Sequence, residues 1–178
     1  MLEFMIIGMP RSGTTWAANW LTTDKTICLH DPLWTHHYTE WDNLADKIGK
    51  RVGISCTGIG FWPHWLNDHP ARKVIVHRPV DEINMSLRRI NKECWDTPMN
   101  LGYIKGRHVD WQDLFNDPEP IWNHLLPDIP FNQQRHKLLR QMKIEPVSSV
   151  GFENIDLYKQ LMSEIDAHPT RGVLESAS

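Results

Sequence analysis

Two short segments of the chain carry residue types that bind phosphate groups, and the first is a glycine-rich turn. It reads Gly8-Met9-Pro10-Arg11-Ser12-Gly13-Thr14-Thr15 and lies between an apolar run and a helical pattern. A turn at such a place presents backbone N–H groups and a helix N-terminus to an anion. Its G-x-x-x-x-G spacing is that of a P-loop, but Thr14 stands where kinases have a lysine. We therefore expect a phosphate cradle whose cation, Arg11, lies in the turn itself; an ordinary tight strand–helix connection is the alternative.

The second segment places Arg78 and Ser86 eight residues apart. Arg78 follows the strand-like run Val74-Ile75-Val76, and ligands of open α/β folds bind at the carboxyl ends of strands. Ser86 falls about two turns into the helix that follows, where its hydroxyl can face the same phosphate. The alternative is an arginine that caps the helix and a serine that is a surface hydroxyl. Together with the turn, the pair favours a second phosphate position.

The order of strand and helix patterns indicates the fold that must position these residues. Apolar runs predict strands over residues 2–7, 51–55 and 73–77, and helical spacing predicts helices over 14–21, 57–66 and 80–90. Strand followed by helix, repeated, predicts an α/β fold in which helices flank a mainly parallel sheet in three layers. We expect one domain over residues 1–178.

The later part of the chain is less regular. Residues 93–130 are rich in Pro, Asp, Asn and Trp without a sustained period, and we expect an insertion of loops and short helices there. Helical patterns return over 132–143 and 155–165, with a strand predicted over 146–150. Residues 170–178 are expected to form a disordered tail.

Composition narrows the class of protein. Lys and Arg total 19 against 22 Asp and Glu, a formal charge of −3, which argues against a protein that coats nucleic acid. Cys28, Cys56 and Cys94 form no C-x-x-C pair, so we expect reduced thiols in the cytoplasm. No apolar run approaches the roughly 20 residues of a membrane span, and the histidines lack metal-ligand spacing. We expect no nucleic-acid, membrane or metal partner, and we leave a homo-oligomer open.

Three segments resemble a known family. Pro10-Arg11-Ser12-Gly13-Thr14-Thr15-Trp16 resembles the 5′-phosphosulfate-binding loop of sulfotransferases, P-[KR]-S-G-T-T-[WL]. Arg78 and Ser86 are similar to the family's R-[N]-P-x-[DE]-x-x-x-S pattern, which binds the donor's 3′-phosphate. A weaker likeness to the family's Y-E-D-L segment covers residues 150–155. The chain resembles a short member of the bacterial or phage type.

The resemblance implies a P-loop NTPase-like fold and a specific reaction. The donor would be 3′-phosphoadenosine 5′-phosphosulfate, the product adenosine 3′,5′-bisphosphate, and the acceptor a hydroxyl or amine of a small molecule or glycan. No metal takes part in the family's chemistry. Arg11 would be catalytic and would also bind the donor. The other donor-binding residues would be Ser12, Gly13, Thr14, Thr15, Trp16, Arg78 and Ser86.

The general base is a choice between two neighbours. Tyrosylprotein-type and many bacterial sulfotransferases carry a glutamate base at about the distance from the loop at which His30 and Asp31 stand here. A histidine accepts a proton near neutrality without much adjustment, whereas an aspartate needs burial or a partner. Asp31 could also simply start a turn before Pro32. Both residues stay candidates.

The sequence departs from the family at its C-terminal end. Cytosolic members close over the nucleotide with R-K-G-x-x-G-D-W-K, of which only Arg171-Gly172 is suggested here. We therefore expect the tryptophan-rich middle to cover the donor. Two functions outside the family remain alternatives: a P-loop kinase of nucleotides or small molecules, and a nucleotide-binding protein without catalysis.

The nine tryptophans divide by position. Trp16 and Trp20, four residues apart, are expected in the core. Trp62 and Trp65 are expected near a donor adenine. Five others lie in irregular segments and are candidates for the wall of an acceptor pocket: Trp34, Trp41, Trp95, Trp111 and Trp122.

Overall fold

The computed structural model describes residues 1–95, 99–142 and 154–167. Its centre is a five-stranded parallel sheet in the order β2-β3-β1-β4-β5. The strands are β1 (Phe4–Gly8), β2 (Thr26–His30), β3 (Arg51–Cys56), β4 (Arg72–His77) and β5 (Arg107–Asp110). Because all five run in one direction, their carboxyl ends meet at one edge of the sheet, which we call the carboxyl edge.

Helices cover both faces of this sheet. They are α1 (Thr14–Leu21), α2 (Trp41–Asp46), α3 (Pro63–Asp68), α4 (Val80–Arg88), α5 (Asp113–Asn116), α6 (Pro118–Leu125), α7 (Gln133–Gln141) and α8 (Ile155–Ala167). Alternate residues of β1 point to opposite faces. Phe4 and Ile6 pack with apolar residues of α1 and α6, whereas Met5 and Ile7 pack with those of α2, α3, α4 and α8. The predicted α/β fold with a parallel sheet between helices is confirmed.

Two strands were not predicted from the sequence. β2 begins with Thr26 and ends with the exposed His30, and in β5 only Val109 is buried. β5 carries too few apolar residues to be told from a loop by periodicity, whereas β2 contains the apolar run Ile27-Cys28-Leu29, which is too short to be assigned from periodicity alone. The segment 93–130, expected to hold loops and short helices, contains β5 as well as α5 and α6. The strand predicted over 146–150, the tail 170–178 and most of the third family-like segment lie outside the described residues.

The tryptophans correct part of the sequence interpretation. Trp16 and Trp20 are buried and stack at 5.3 Å between ring centroids, as expected of core residues. Trp41 and Trp122, expected to line an acceptor pocket, are also buried in the core. They lie on the short helices α2 and α6, whose few turns gave no readable period. Trp62, expected beside an adenine, is buried on the face of the sheet that α2, α3, α4 and α8 cover, and its indole N–H donates to the Glu164 carboxylate.

Candidate active site

The sequence-predicted residues gather at the carboxyl edge. The glycine-rich turn leaves β1 there, His30 ends β2, and Arg78 follows β4 directly. Trp111 follows β5 at the same edge. In open parallel sheets this edge is where ligands bind, because loops there are free to vary while the strands hold them.

The turn between β1 and α1 has the backbone of an anion cradle. Arg11 (φ 65°) and Gly13 (φ 87°) both adopt the left-handed region, which is uncommon for an arginine. At Gly13 a Cβ atom would also come within 3.2 Å of Leu114, so glycine suits both the conformation and the close packing. Gly13 precedes α1, whose first N–H groups have no partner within the helix. The backbone therefore offers several donors at one point.

Ser12, within this turn, adds an unusual polar group. Its side chain is completely buried, and its Oγ has no hydrogen-bond partner among the described residues. Buried hydroxyls are normally hydrogen-bonded, and an unpaired one costs free energy. The Ser12 hydroxyl can therefore both donate and accept a hydrogen bond beside the cradle.

The two predicted phosphate-binding segments are in direct contact. Arg11 Nε donates to Ser86 Oγ at 3.0 Å, across 75 residues of chain. Arg78 Nη1 donates to the backbone carbonyl of Arg11, and so holds the left-handed residue in place. Arg11, Arg78 and Ser86 thus form one cluster beside the N-terminus of α1, which we call the cationic cluster.

Arg78 has two further partners. Its Nε lies 3.3 Å from the carboxylate of Glu82, in the first turn of α4, and its guanidinium lies 4.0 Å from the centre of the Trp111 ring. The Trp111 indole N–H donates to the same Glu82 oxygen at 3.1 Å. Sequence reasoning missed Glu82 and did not place Trp111 here. The i,i+4 spacing of Arg78 and Glu82 could have revealed the first. Trp111 was expected in the wall of an acceptor pocket, and its position beside Arg78 could not be predicted because β5 was not.

The electrostatics of Arg11 differ from those of an ordinary surface arginine. Burial lowers the pKa of Arg11, and the neighbouring Arg78 guanidinium lowers it further. Within the described parts of the chain, no carboxylate forms an ion pair with Arg11. An uncompensated cation of this kind gains most when an anion binds next to it.

A second group lies on the other side of the turn, at the ends of β2 and β3. His30 Nε2 lies 3.1 Å from Thr15 Oγ1 and 3.3 Å from Asp31 Oδ2. The other Asp31 oxygen, Oδ1, accepts from the backbone N–H of Thr57 at 2.7 Å and from its hydroxyl at 3.2 Å. We call these four residues the His30 group. They connect the first turn of α1 to the carboxyl edge.

Of the two candidate bases, Asp31 is more constrained than His30. Its backbone is left-handed (φ 44°), and its side chain is 12% exposed against 36% for His30. It also faces the buried Cys56 thiol: burial raises the pKa of Cys56, and the Asp31 charge raises it further. His30 is therefore the member of the pair that a ligand can reach.

The other predicted donor-binding residues divide between cradle and core. Thr14 and Thr15 form the first turn of α1, and the Thr14 carbonyl accepts from Ser55 Oγ at 2.8 Å. Trp16 contributes only its backbone to this turn, because its ring packs on Trp20, Phe115 and His136. Phe115 also lies beside Gly13. The segment after β5 thus packs directly on the turn.

No group of three or more potential metal ligands is found among the residues that the structure describes. In the same part of the chain, no helix is long and apolar enough to cross a membrane. Comparison of the chain with models of protein families, with characterised proteins and with solved structures found no match. Function must therefore be argued from the arrangement at the carboxyl edge.

Proposed function

We propose that this protein is a sulfotransferase that uses 3′-phosphoadenosine 5′-phosphosulfate. The observation that carries the proposal is the contact of Arg11 with Ser86 and Arg78 beside the first turn of α1. Two sequence segments that separately resemble phosphate-binding motifs of sulfotransferases thereby form one cationic cluster. The donor has phosphate groups at its 5′ and 3′ positions, so two adjoining anion sites suit it.

The residues present fit the charges of such a donor. The N–H groups of the turn and α1, together with the unpaired Ser12 hydroxyl, suit a 5′-phosphosulfate. Arg78 and Ser86 suit a 3′-phosphate, since guanidinium and hydroxyl groups both donate to phosphate oxygens. Lysine is absent from position 14, where it would reach the outer phosphates of ATP, which favours this donor over a nucleoside triphosphate.

The chemistry asked of the protein is an in-line displacement at sulfur. The acceptor oxygen or nitrogen forms a bond to sulfur as the bond from sulfur to the 5′-phosphate oxygen breaks. Negative charge grows on that leaving oxygen, and Arg11 with the N–H groups of α1 stabilises it. The acceptor's proton passes to a base on this chain. The donor supplies the activated sulfuryl group, and no redox partner is needed.

Within the proposal, His30 is the base and Asp31 positions it. Asp31 is already engaged by Thr57 through Oδ1, and its Oδ2 faces the His30 ring. His30 is more exposed and lies against Thr15, at the first turn of the helix that would hold the 5′-phosphate. A base there is close to the sulfuryl group and accessible to an acceptor.

We infer that the acceptor is a small molecule or glycan. We also infer a cytoplasmic location, because the cysteines, all of which the structure describes, form no disulfide bonds.

Calorimetry with adenosine 3′,5′-bisphosphate tests the donor assignment. The wild type should bind it, and the double variant Arg78→Ala, Ser86→Ala should bind about 100-fold more weakly, because two charge-assisted contacts are lost. Arg88→Ala removes an exposed arginine from α4, the helix that carries Ser86, and serves as the matched control. Undiminished binding by the double variant refutes the assignment.

Two further results would favour the alternatives. Preference for Mg-ATP over the bisphosphate would indicate a kinase, to which the lysine-free loop is poorly suited. Tight binding of the donor without transfer of labelled sulfate to any acceptor in a broad panel would indicate a nucleotide-binding protein without catalysis. Transfer to one acceptor class would both support the proposal and identify the substrate.

A further inference from the structure

Arg78 is not a free cation, although it is expected to bind a phosphate. Glu82 Oε2 lies 3.3 Å from its Nε, and the same oxygen accepts the Trp111 indole N–H at 3.1 Å. The guanidinium also lies over the Trp111 ring. Glu82 of α4, Arg78 after β4 and Trp111 after β5 therefore each contact the other two.

The carboxylate occupies a position that suits a phosphate oxygen. Carboxylates and phosphates take the same planar donor pattern from arginine, and a phosphate carries the larger charge. The Trp111 N–H could donate to either. Glu82 is 35% exposed whereas Arg78 is 15% exposed, so the carboxylate can swing into solvent while the guanidinium stays in place.

We propose that Glu82 is a built-in counter-anion that a ligand phosphate displaces from Arg78, and that this competition sets the affinity of the site. The inference rests on the proposed function in so far as Arg78 binds the donor's 3′-phosphate. Glu82 holds the arginine against Trp111 before binding. A ligand phosphate then takes over both Arg78 Nε and the Trp111 indole.

The alternative role of Glu82 is to position Arg78, and the two roles predict opposite effects of one substitution. Glu82→Gln removes the negative charge and keeps an oxygen that can accept from Trp111. If Glu82 competes with phosphate, this variant binds adenosine 3′,5′-bisphosphate about threefold to tenfold more tightly. If Glu82 only positions Arg78, binding is unchanged or weaker, and the proposal is wrong.

Two controls make the result specific. Asp81→Asn makes the same change of charge at the neighbouring exposed residue of α4 and should alter affinity less than about twofold. Adenosine 5′-monophosphate, which lacks the 3′-phosphate, should bind Glu82→Gln and wild type equally. An equal gain for the monophosphate, or for Asp81→Asn, would show a general charge effect and overturn the inference.

The same variants, titrated with inorganic phosphate, separate this inference from the proposed function. Should the wild type bind no bisphosphate, the sulfotransferase proposal fails. Tighter binding of phosphate by Glu82→Gln than by wild type and Asp81→Asn would still support the role of Glu82. The absence of any such difference would overturn it independently of the donor. Tryptophan fluorescence reports either titration, since Trp111 contacts Arg78.

Discussion

The two edges of the sheet both carry arginines, but the arginines are paired differently. At the edge where the strands begin, Arg51 lies 2.7 Å from a Glu3 oxygen and 2.7 Å from an Asp128 oxygen. At the carboxyl edge, Arg11 contacts a serine hydroxyl and a second arginine, Arg78. At the starting edge Arg51 is paired with two carboxylates, whereas at the carboxyl edge Glu82 pairs with Arg78 and, among the described residues, no carboxylate pairs with Arg11.

The pKa values follow this difference. Burial lowers the pKa of both arginines, but hydrogen bonds and charges from Glu3 and Asp128 outweigh it at Arg51, whose pKa is raised. At Arg11 the pKa is lowered, because Arg78 adds to the effect of burial. Charged groups with a perturbed pKa cluster at functional sites. The contrast supports the proposal that Arg11 binds a ligand, but a lowered pKa is not sufficient alone, since burial also lowers the pKa of Arg135, which donates to the backbone carbonyls of Trp20 and Thr22.

The largest expected effect follows from removing Arg11. In Arg11→Gln, the rate of sulfuryl transfer should fall about 10²- to 10³-fold, since a charge that stabilises the leaving oxygen is lost. The free energy of unfolding should change by less than about 0.5 kcal/mol, because the charge is uncompensated in the folded protein. Single-turnover kinetics and urea denaturation measure the two quantities. A strongly destabilised variant would contradict the comparison, since Arg11 would then be structural.

The next effect concerns the His30 group. His30→Asn should lower turnover about 10²-fold while the affinity for adenosine 3′,5′-bisphosphate stays within about twofold, because a base acts on the acceptor and not on the donor. Asp31→Asn should reduce turnover less, and asparagine tolerates the left-handed backbone at that position. His124→Asn, on α6, is the control. Equal loss of affinity and turnover in His30→Asn would place His30 in donor binding instead.

The sequence predicted which segments meet at the carboxyl edge better than it predicted their surroundings. The glycine-rich turn and the Arg78–Ser86 spacing could be read because their patterns are local, and the parallel sheet follows from strand–helix alternation. Glu82 and Trp111 form contacts that depend on β5, and β5 has one buried residue and no apolar pattern. Trp41 and Trp122 were misplaced because helices of six and eight residues show too little periodicity. Tertiary contacts of such short elements cannot be derived from the sequence around them.

A smaller effect should appear as a dependence of stability on pH. Burial lowers the pKa of His69 near the starting edge and of His77 at the carboxyl edge, each from an ordinary value of 6.5. Asp42 opposes the shift at His69, and at His77 His108 adds to it while Asp110 opposes it. Because the unfolded chain binds more protons below pH 6.5 than the folded one, stability should be highest above that pH and fall as the solution is acidified.

Thermal unfolding at pH 7.5 and pH 5.5 measures this dependence. His69→Asn and His77→Asn should each reduce the difference in Tm between the two pH values, since each removes one titrating group. Saturation with adenosine 3′,5′-bisphosphate raises Tm at both pH values through its binding energy. A Tm that is higher at pH 5.5 would show that the histidines gain protons on folding, contrary to the direction of both pKa shifts.

The smallest effect is expected where charges are paired within the chain. Arg51→Met should lower the free energy of unfolding by less than about 1 kcal/mol, because its pair with the partly exposed Glu3 is screened by solvent. Affinity for the bisphosphate should not change, since the residue lies at the opposite edge from the cationic cluster. Arg89→Met, at an exposed position after α4, controls for loss of charge without loss of this pair.

In 1 M salt the difference in the free energy of unfolding between Arg51→Met and wild type should shrink, whereas the loss of sulfuryl transfer in Arg11→Gln should persist at saturating donor. A loss of bisphosphate affinity in Arg51→Met would mean that Arg51 also contributes to ligand binding. The distinction between a structural starting edge and a ligand-binding carboxyl edge would then be wrong.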